Sequence, residues 1–334
     1  MDVAKPDSAS IARALKRISS ADKKVCVVGS ANADLTVIVD QLPQPGQTIS
    51  GGPLSELPGG KSANQAVTAG LLGATVEFVG AVGQDTNGDM LLESLGDGGV
   101  DTDFVTRVET PTGTAMIVVD SAAENFIVLS PGANGDVDAD MVRRNAAAFD
   151  GAGVLGLCLE VDDAAVLEAA RIAQDNGIPV VFNLSPIRDV SDEFLSHVDV
   201  LIVNEHELAA VVGEDVATAA VDHGEWSQAA QALRGDHGIA NAVVTVGSQG
   251  SVVLSDDGET IVPPVPITVK DTTGCGDSYM GTLLACLAAD MQVTDAAQLA
   301  AVVSAYAATG TGAQRSYGNA EDIQRFVESL GKEN

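Results

Sequence analysis

Gly153-Val154-Leu155-Gly156-Leu157-Cys158-Leu159 is an apolar run that stops at the carboxylate of Glu160. A helical pattern over 162–176 follows, then apolar runs at 179–183 and 198–203, and a second helical pattern over 205–212. Strands this short, apolar on both sides and alternating with helices, predict a parallel sheet covered on both faces. Right-handed crossovers then place any ligand at the carboxyl ends of the strands.

Outward from this stretch the pattern continues in both directions. Before it we read strands at 25–28 and 75–82 and helices at 62–72 and 88–95. After it come a helix at 228–234, a strand at 242–246, a hairpin-like stretch at 251–263, and helices at 278–289, 295–308 and 321–330. Two extended, turn-rich groups, about 35–57 and 112–131, interrupt the first half. The second contains strands 114–119 and 125–129 joined by the link 120–124. These groups predict a small β-sheet standing off the body as a lid. The expected architecture is a three-layer α/β/α domain over 24–334, with 1–23 as an N-terminal extension. In that extension Ile11, Leu15 and Ile18 form one helical stripe.

With 47 acidic and 17 basic residues in 334, the formal charge is −30. That argues against nucleic acid or an acidic membrane as partner, since phosphate backbones are met by clustered Lys and Arg. Any phosphate site here must use backbone dipoles, metal ions and a few placed cations. Cys26, Cys158, Cys275 and Cys286 form no CxxC pair and read as free thiols in a reducing compartment. No signal-peptide core or membrane-spanning run is seen, so a cytoplasmic protein is expected.

Polar residues sit where the predicted strands end: Asn32 and Asp34, Glu160, Asn204 and Glu207, and Thr245 with Gly247-Ser248-Gln249-Gly250. Singly, each reads as a cap or turn residue; together they suit a polyol. The first strand ends with one glycine, Gly29, so the glycine fingerprint of a dinucleotide site is missing. The last loop is Asp271-Thr272-Thr273-Gly274-Cys275-Gly276-Asp277, ahead of the apolar run 278–289. It reads either as an ordinary glycine turn or as a helix start that cradles an anion beside a carboxylate base, an arrangement suited to phosphoryl transfer to an alcohol.

The segments Gly29-Ser30-Ala31-Asn32-Ala33-Asp34, Pro58-Gly59-Gly60-Lys61-Ser62-Ala63-Asn64-Gln65-Ala66, Asn204-Glu205-His206-Glu207 and Asp271 to Asp277 resemble, in this order, the signatures of the ribokinase-like (PfkB) family of sugar kinases. The likeness runs from about residue 24 to the end. It implies ATP- and Mg²⁺-dependent phosphorylation of the 5-hydroxyl of D-ribose, stimulated by K⁺, in a homodimer joined through the lid. Carried over by motif, Asp277 is the base and Gly274, Cys275, Gly276 and the Asp277 amide form an anion hole. Asn32, Asp34, Gly60, Lys61, Asn64 and Glu160 hold the sugar, with Asp277. Asn204, Thr245, Gly247, Ser248, Gly250 and Gly276 meet ATP, and Glu207 organises Mg²⁺ through water. Asp271, Thr273, Ala307, Gly310, Gly312 and Ser316 match a K⁺ loop.

Two positions depart from the family pattern. Cys275 stands where Ala or Gly is common, either as a thiol favoured toward thiolate by the helix start or as a small residue that fits. Arg315 stands where Pro is common, which alters the expected K⁺ loop. Lys61 reads as a phosphate contact or as a wall of the sugar pocket. His197, His206, His223 and His237 have no metal spacing, and Trp226 reads as packing. The rival readings are a kinase for another small sugar or a nucleoside, and a non-catalytic sugar-binding protein on the same scaffold. Asp277 and Glu207 speak against the binder, and the scarcity of lid aromatics, Phe126 alone, speaks against the nucleoside.

Overall fold

The alternating runs close into two sheets in the computed structural model, which describes residues 7–122 and 125–331. The first half comprises α1 (Ser8–Ser19), β1 (Lys24–Val28), β2 (Asn32–Ile38), β3 (Ser55–Gly59), α2 (Lys61–Leu71), β4 (Val76–Gly83), α3 (Thr86–Asp97), β5 (Val100–Asp101), β6 (Val105–Val108), β7 (Thr114–Val119), β8 (Asn125–Ser130) and α4 (Ala139–Arg144). The second comprises β9 (Ala152–Leu157), α5 (Asp163–Asp175), β10 (Val180–Asn183), α6 (Asp192–Leu195), β11 (Val200–Asn204), α7 (Glu205–Val212), α8 (Glu214–His223) and α9 (Trp226–His237). It ends with β12 (Asn241–Thr245), β13 (Ser251–Ser255), β14 (Gly258–Val262), α10 (Cys275–Ala288), α11 (Val293–Ala307) and α12 (Ala320–Leu330).

Nine strands of the main sheet run β14-β13-β12-β11-β10-β9-β1-β4-β5, and β6 also pairs with β4. From β12 to β5 neighbours are parallel, while β13 and β14 close one edge as an antiparallel hairpin. The strands from β12 through β4 are largely apolar because each face meets its own helical layer. In β1, Val25 and Val27 join the core under α2 and α10, whereas Cys26 and Val28 join the core under α5. That is the two-residue period of a strand buried on both sides.

The second sheet, ordered β3-β2-β7-β8, assembles from the two extended groups. Within the 120–124 link, Ala123 and Glu124 lie outside the described residues. This sheet keeps several large apolar side chains in the open, whereas the main sheet has one, Ile261 on its edge strand β14, among the described residues. Phe126 is 62 % exposed, and Ile38, Met116, Ile127, Val128 and Leu129 are also exposed.

Helices α4, α6 and α8 and strands β5 and β6 were not anticipated in the sequence reading, and α8 starts directly after Gly213 with no side-chain cap. Helix α10 begins at Cys275, three residues earlier than read, so the end of the last loop is its first turn. The N-terminal stripe agrees with the reading: it lies on α1, with Ile11, Leu15 and Ile18 buried against the body. Its Arg17 donates from Nε to Ala289 O at 2.8 Å and from Nη2 to Asp290 O at 2.7 Å, closing the far end of α10. His206 and His223 lie on α7 and α8, and Trp226 packs into the core.

Candidate active site

The loop before α10 is built to leave donors open. Gly274 is the N-cap with φ +74°, and no side chain caps this helix. A Cβ at Gly274 would lie 2.4 Å from Tyr317 Oη and 2.8 Å from Ala313 Cβ, so only glycine fits this turn. Tyr317 Oη donates to Gly274 O at 2.8 Å and holds the turn from below. The Cys275 N–H donates to Thr272 O at 3.1 Å, which removes it from the donors expected for an anion. The N–H groups of Gly276 and Asp277 have no carbonyl four residues back within the helix. They point where the helix dipole favours negative charge.

Asp277 is 8 % exposed and accepts a hydrogen bond from Asn64 Nδ2 at 2.9 Å. Burial pushes its carboxyl above the usual carboxylate range, and the Lys61 ammonium and Asn64 only partly oppose that. Lys61 is itself raised: burial works against its charge, but Asp277, Glu160 and Glu207 outweigh it. Asp34 is raised as well, to about 7, through burial and the nearby charges of Glu160 and Asp277. One lysine among four acidic groups marks this as a place for a polar, neutral ligand with several hydroxyls.

Second-row contacts hold this group, and most were not singled out in the sequence. Glu160 Oε2 accepts from Ser30 Oγ at 2.6 Å and from the Lys61 N–H at 3.0 Å. Buried Asn134 donates to Asn32 Oδ1 at 2.7 Å and accepts from the Ala31 N–H at 3.0 Å. Gln314 Nε2 donates to Asn64 Oδ1 at 2.9 Å, and Ser94 Oγ donates to Gln314 Oε1 at 2.7 Å. Gly60, with φ +89°, is the N-cap of α2 between these groups.

Beside Gly276 opens a cavity of about 520 Å³. Its walls include Thr245, Gly247, Ser248 and Gly250 from the turn after β12, and Val265, Ile267, Cys275 and Ala308. A mostly apolar slot with backbone polar groups at one end suits a flat heterocycle carrying phosphates. The Cys275 thiol faces it, but burial and Asp271 push the thiol up to about 11. The thiolate reading is thereby corrected; the side chain is a small neutral wall.

Asn204 and Glu207 do not enter that cavity wall. They form a capping box at the start of α7: Glu207 N–H donates to Asn204 Oδ1 at 2.9 Å, and Asn204 N–H donates to Glu207 Oε2 at 2.8 Å. Glu207 is buried, and desolvation raises its carboxyl.

The matched cation positions do cluster. Asp271 Oδ1 accepts from the N–H and hydroxyl of Thr273 at 2.9 and 2.7 Å, and Oδ2 from Gly312 N–H at 2.8 Å. These donors overcome burial and hold Asp271 below its ordinary range. Gly310 packs against Ser316 and donates to Ala307 O at 3.0 Å. Among the described residues no cluster of three or more His, Cys, Asp or Glu has metal-binding geometry, so a cation here would be met mainly by carbonyl and hydroxyl oxygens. Among the same residues no helix is long and apolar enough to cross a membrane.

Comparison with known proteins gives the family of the chain. The pattern of the pfkB family carbohydrate kinases matches residues 22–319. A ribokinase of Haemophilus influenzae is 33 % identical over 307 residues, covering 92 % of this chain and 99 % of the relative. A deoxyribokinase of Salmonella typhi is 30 % identical, covering 91 % and 98 %. The solved structure of Arabidopsis thaliana ribokinase complexed with ribose and ATP superposes with a TM-score of 0.82 at 28 % identity, over 92 % of this chain and 99 % of that one.

Proposed function

Because the chain belongs to the pfkB family of carbohydrate kinases, we propose that it transfers the γ-phosphoryl group of ATP to the 5-hydroxyl of D-ribose, giving ribose 5-phosphate. The observation that carries this is the first turn of α10. There Asp277 bonds Asn64 on the sugar side, while its neighbour Gly276 lines the 520 Å³ cavity. The ribose–ATP complex of the Arabidopsis relative supports the same pairing of ligands. We assign the kinase domain to 24–334, with the lid drawn from about 35–57 and 112–131.

Asn32, Asp34, Gly60, Lys61, Asn64 and Glu160 hold the sugar hydroxyls, and Asp277 accepts the proton of the attacking one. As that oxygen bonds to phosphorus, charge builds on the phosphoryl oxygens, and the amides of Gly274, Gly276 and Asp277 meet it without reorganising. A base with a raised carboxyl pKa suits proton transfer late in the attack. The lid sheet covers the sugar and keeps water from competing as acceptor. Asn204 and the turn from Thr245 through Gly247, Ser248 and Gly250 face the nucleotide.

Glu207 fits Mg²⁺ held through water, because a nearby dication offsets the cost of burying its carboxylate; the ion would neutralise phosphate charge. Asp271, Thr273, Ala307, Gly310, Gly312 and Ser316 fit K⁺, whose shell is readily replaced by carbonyl oxygens. The exposed apolar lid residues fit a homodimer formed through that sheet. Four free cysteines fit the reducing cytoplasm.

The deoxyribokinase relative makes deoxyribose the second substrate to weigh. A panel of ribose, deoxyribose, other pentoses and nucleosides, assayed with ATP and Mg²⁺ in K⁺ or Na⁺, decides both questions. We expect ribose to have the highest kcat/KM and K⁺ to exceed Na⁺, with Asp271→Ala erasing the cation difference. Preference for another acceptor, or equal rates in both ions, refutes the corresponding assignment.

A further inference from the structure

Gln65 lies next to Asn64 on α2 and is fully buried, at 0 % exposure. Neither its Oε1 nor its Nε2 completes a hydrogen bond among the described residues. An unpaired buried carboxamide gives up its hydration with nothing in return, and an apolar side chain of equal size avoids that cost. Packing therefore gives no reason for glutamine here.

Its surroundings give one. Helices α2 and α10 approach so closely that a Cβ on Gly281 would lie 2.3 Å from the backbone carbonyl oxygen of Gln65 and 2.7 Å from Thr68 Cβ. This contact sets Gln65 against the helix that carries Asp277. Asn64, one residue before it, already donates to Asp277 Oδ2 at 2.9 Å. The carboxamide of Gln65 is near enough to favour the ionised form of Asp277, although its hydrogen-bond geometry is incomplete. Asn64 is in turn held by Gln314, whereas nothing else claims the Gln65 amide.

We propose that Gln65 is a positioning residue for the proposed base: its unpaired carboxamide steers the Asp277 carboxylate toward the sugar hydroxyl and steadies it as an anion. The inference rests on Asp277 being that base. Lys61, Glu160, Asp34 and Glu207 also face this centre, with the Tyr317 hydroxyl behind it. Gln65 is the neutral member of the group that can donate to Asp277 without adding a charge, apart from Asn64.

The test compares Gln65→Met with the unmodified enzyme in kcat, KM for the sugar, Tm and the pH profile of kcat. Methionine preserves volume and removes the amide. The expected result is a kcat lowered about tenfold, a sugar KM within about twofold, and a Tm unchanged or higher. The acid limb of kcat moves upward by about half to one pH unit as one donor to the anion is lost. An unchanged kcat and acid limb, or a kcat loss with lowered Tm and an unmoved limb, overturns the proposal. If Gln65→Met does not fold, Gln65→Glu decides: it keeps size and polarity but sets a second carboxyl against Asp277. The acid limb should again move upward, and an unmoved limb overturns the proposal. Asp277→Asn run in parallel separates the two ideas. Loss of turnover there with no effect at position 65 removes only the role of Gln65, whereas retained turnover removes the base itself.

Discussion

Helices α7 and α10 both start beside the proposed site, and they start in opposite ways. At α7 the side chains of Asn204 and Glu207 satisfy each other's backbone N–H groups in a closed capping box. At α10 the cap is Gly274, no side chain reaches back, and the amides of Gly276 and Asp277 remain for a ligand. A missing side-chain cap costs about 0.5–2 kcal/mol, and α10 offsets it with a deeply apolar body and with Arg17 on its far end. The contrast teaches that motif acids and amides serve different ends. One start closes its backbone donors with its own side chains; the other leaves them without a side-chain cap.

The sharpest way to break this contrast is Asp277→Asn. We expect kcat to fall by about a thousandfold or more with sugar binding near normal. A loss of only a few-fold in steady-state turnover would falsify the base assignment. Next in size is Gly274→Ala, which forces a Cβ onto Tyr317 and Ala313 at positive φ. It should lower kcat about ten- to a hundredfold by displacing the open amides. Unaltered kcat in a folded variant means the turn does not present them. Asn204→Ala tests the closed start, where about 1 kcal/mol of cap energy should appear as a Tm lowered by roughly 1–2 °C. A kinetic defect without any loss of Tm places Asn204 among the ligand contacts alone.

The last test is electrostatic. The Asp34 carboxyl is raised from 3.8 to about 7, so its protonated form is the one the fold favours. Its contribution is full below pH 3.8 and declines as pH rises through about 7. Asp34→Asn should therefore raise the Tm of the ligand-free protein at pH 8 and change it little at pH 4. A Tm gain that is the same at both values refutes the shift.

Much of this molecule was legible in one dimension. Apolar runs such as 198–203 mark strands buried on both faces, and β11 and α7 lie within two residues of their expected bounds. Asn64 and Asp277 were recognisable as members of separate motifs. Their meeting at 2.9 Å was not, because 213 residues separate them. The supports were harder still. Asn134, Tyr317 and Ser94 carry no local signal, since each acts on a group brought near only by the sheet. The Glu207 capping box was readable in principle from Asn at one position and Glu three later.

The sequence alone determined the layered α/β plan, most of the strands of the second sheet and the loop at Asp271–Asp277, because periodicity and glycine placement act within a few residues of chain. Tertiary structure alone decided which amides of that loop are open, why the Cys275 thiol stays protonated, and how four acidic groups share one lysine. Those depend on burial and on charges distant in the chain, and neither is written in local order.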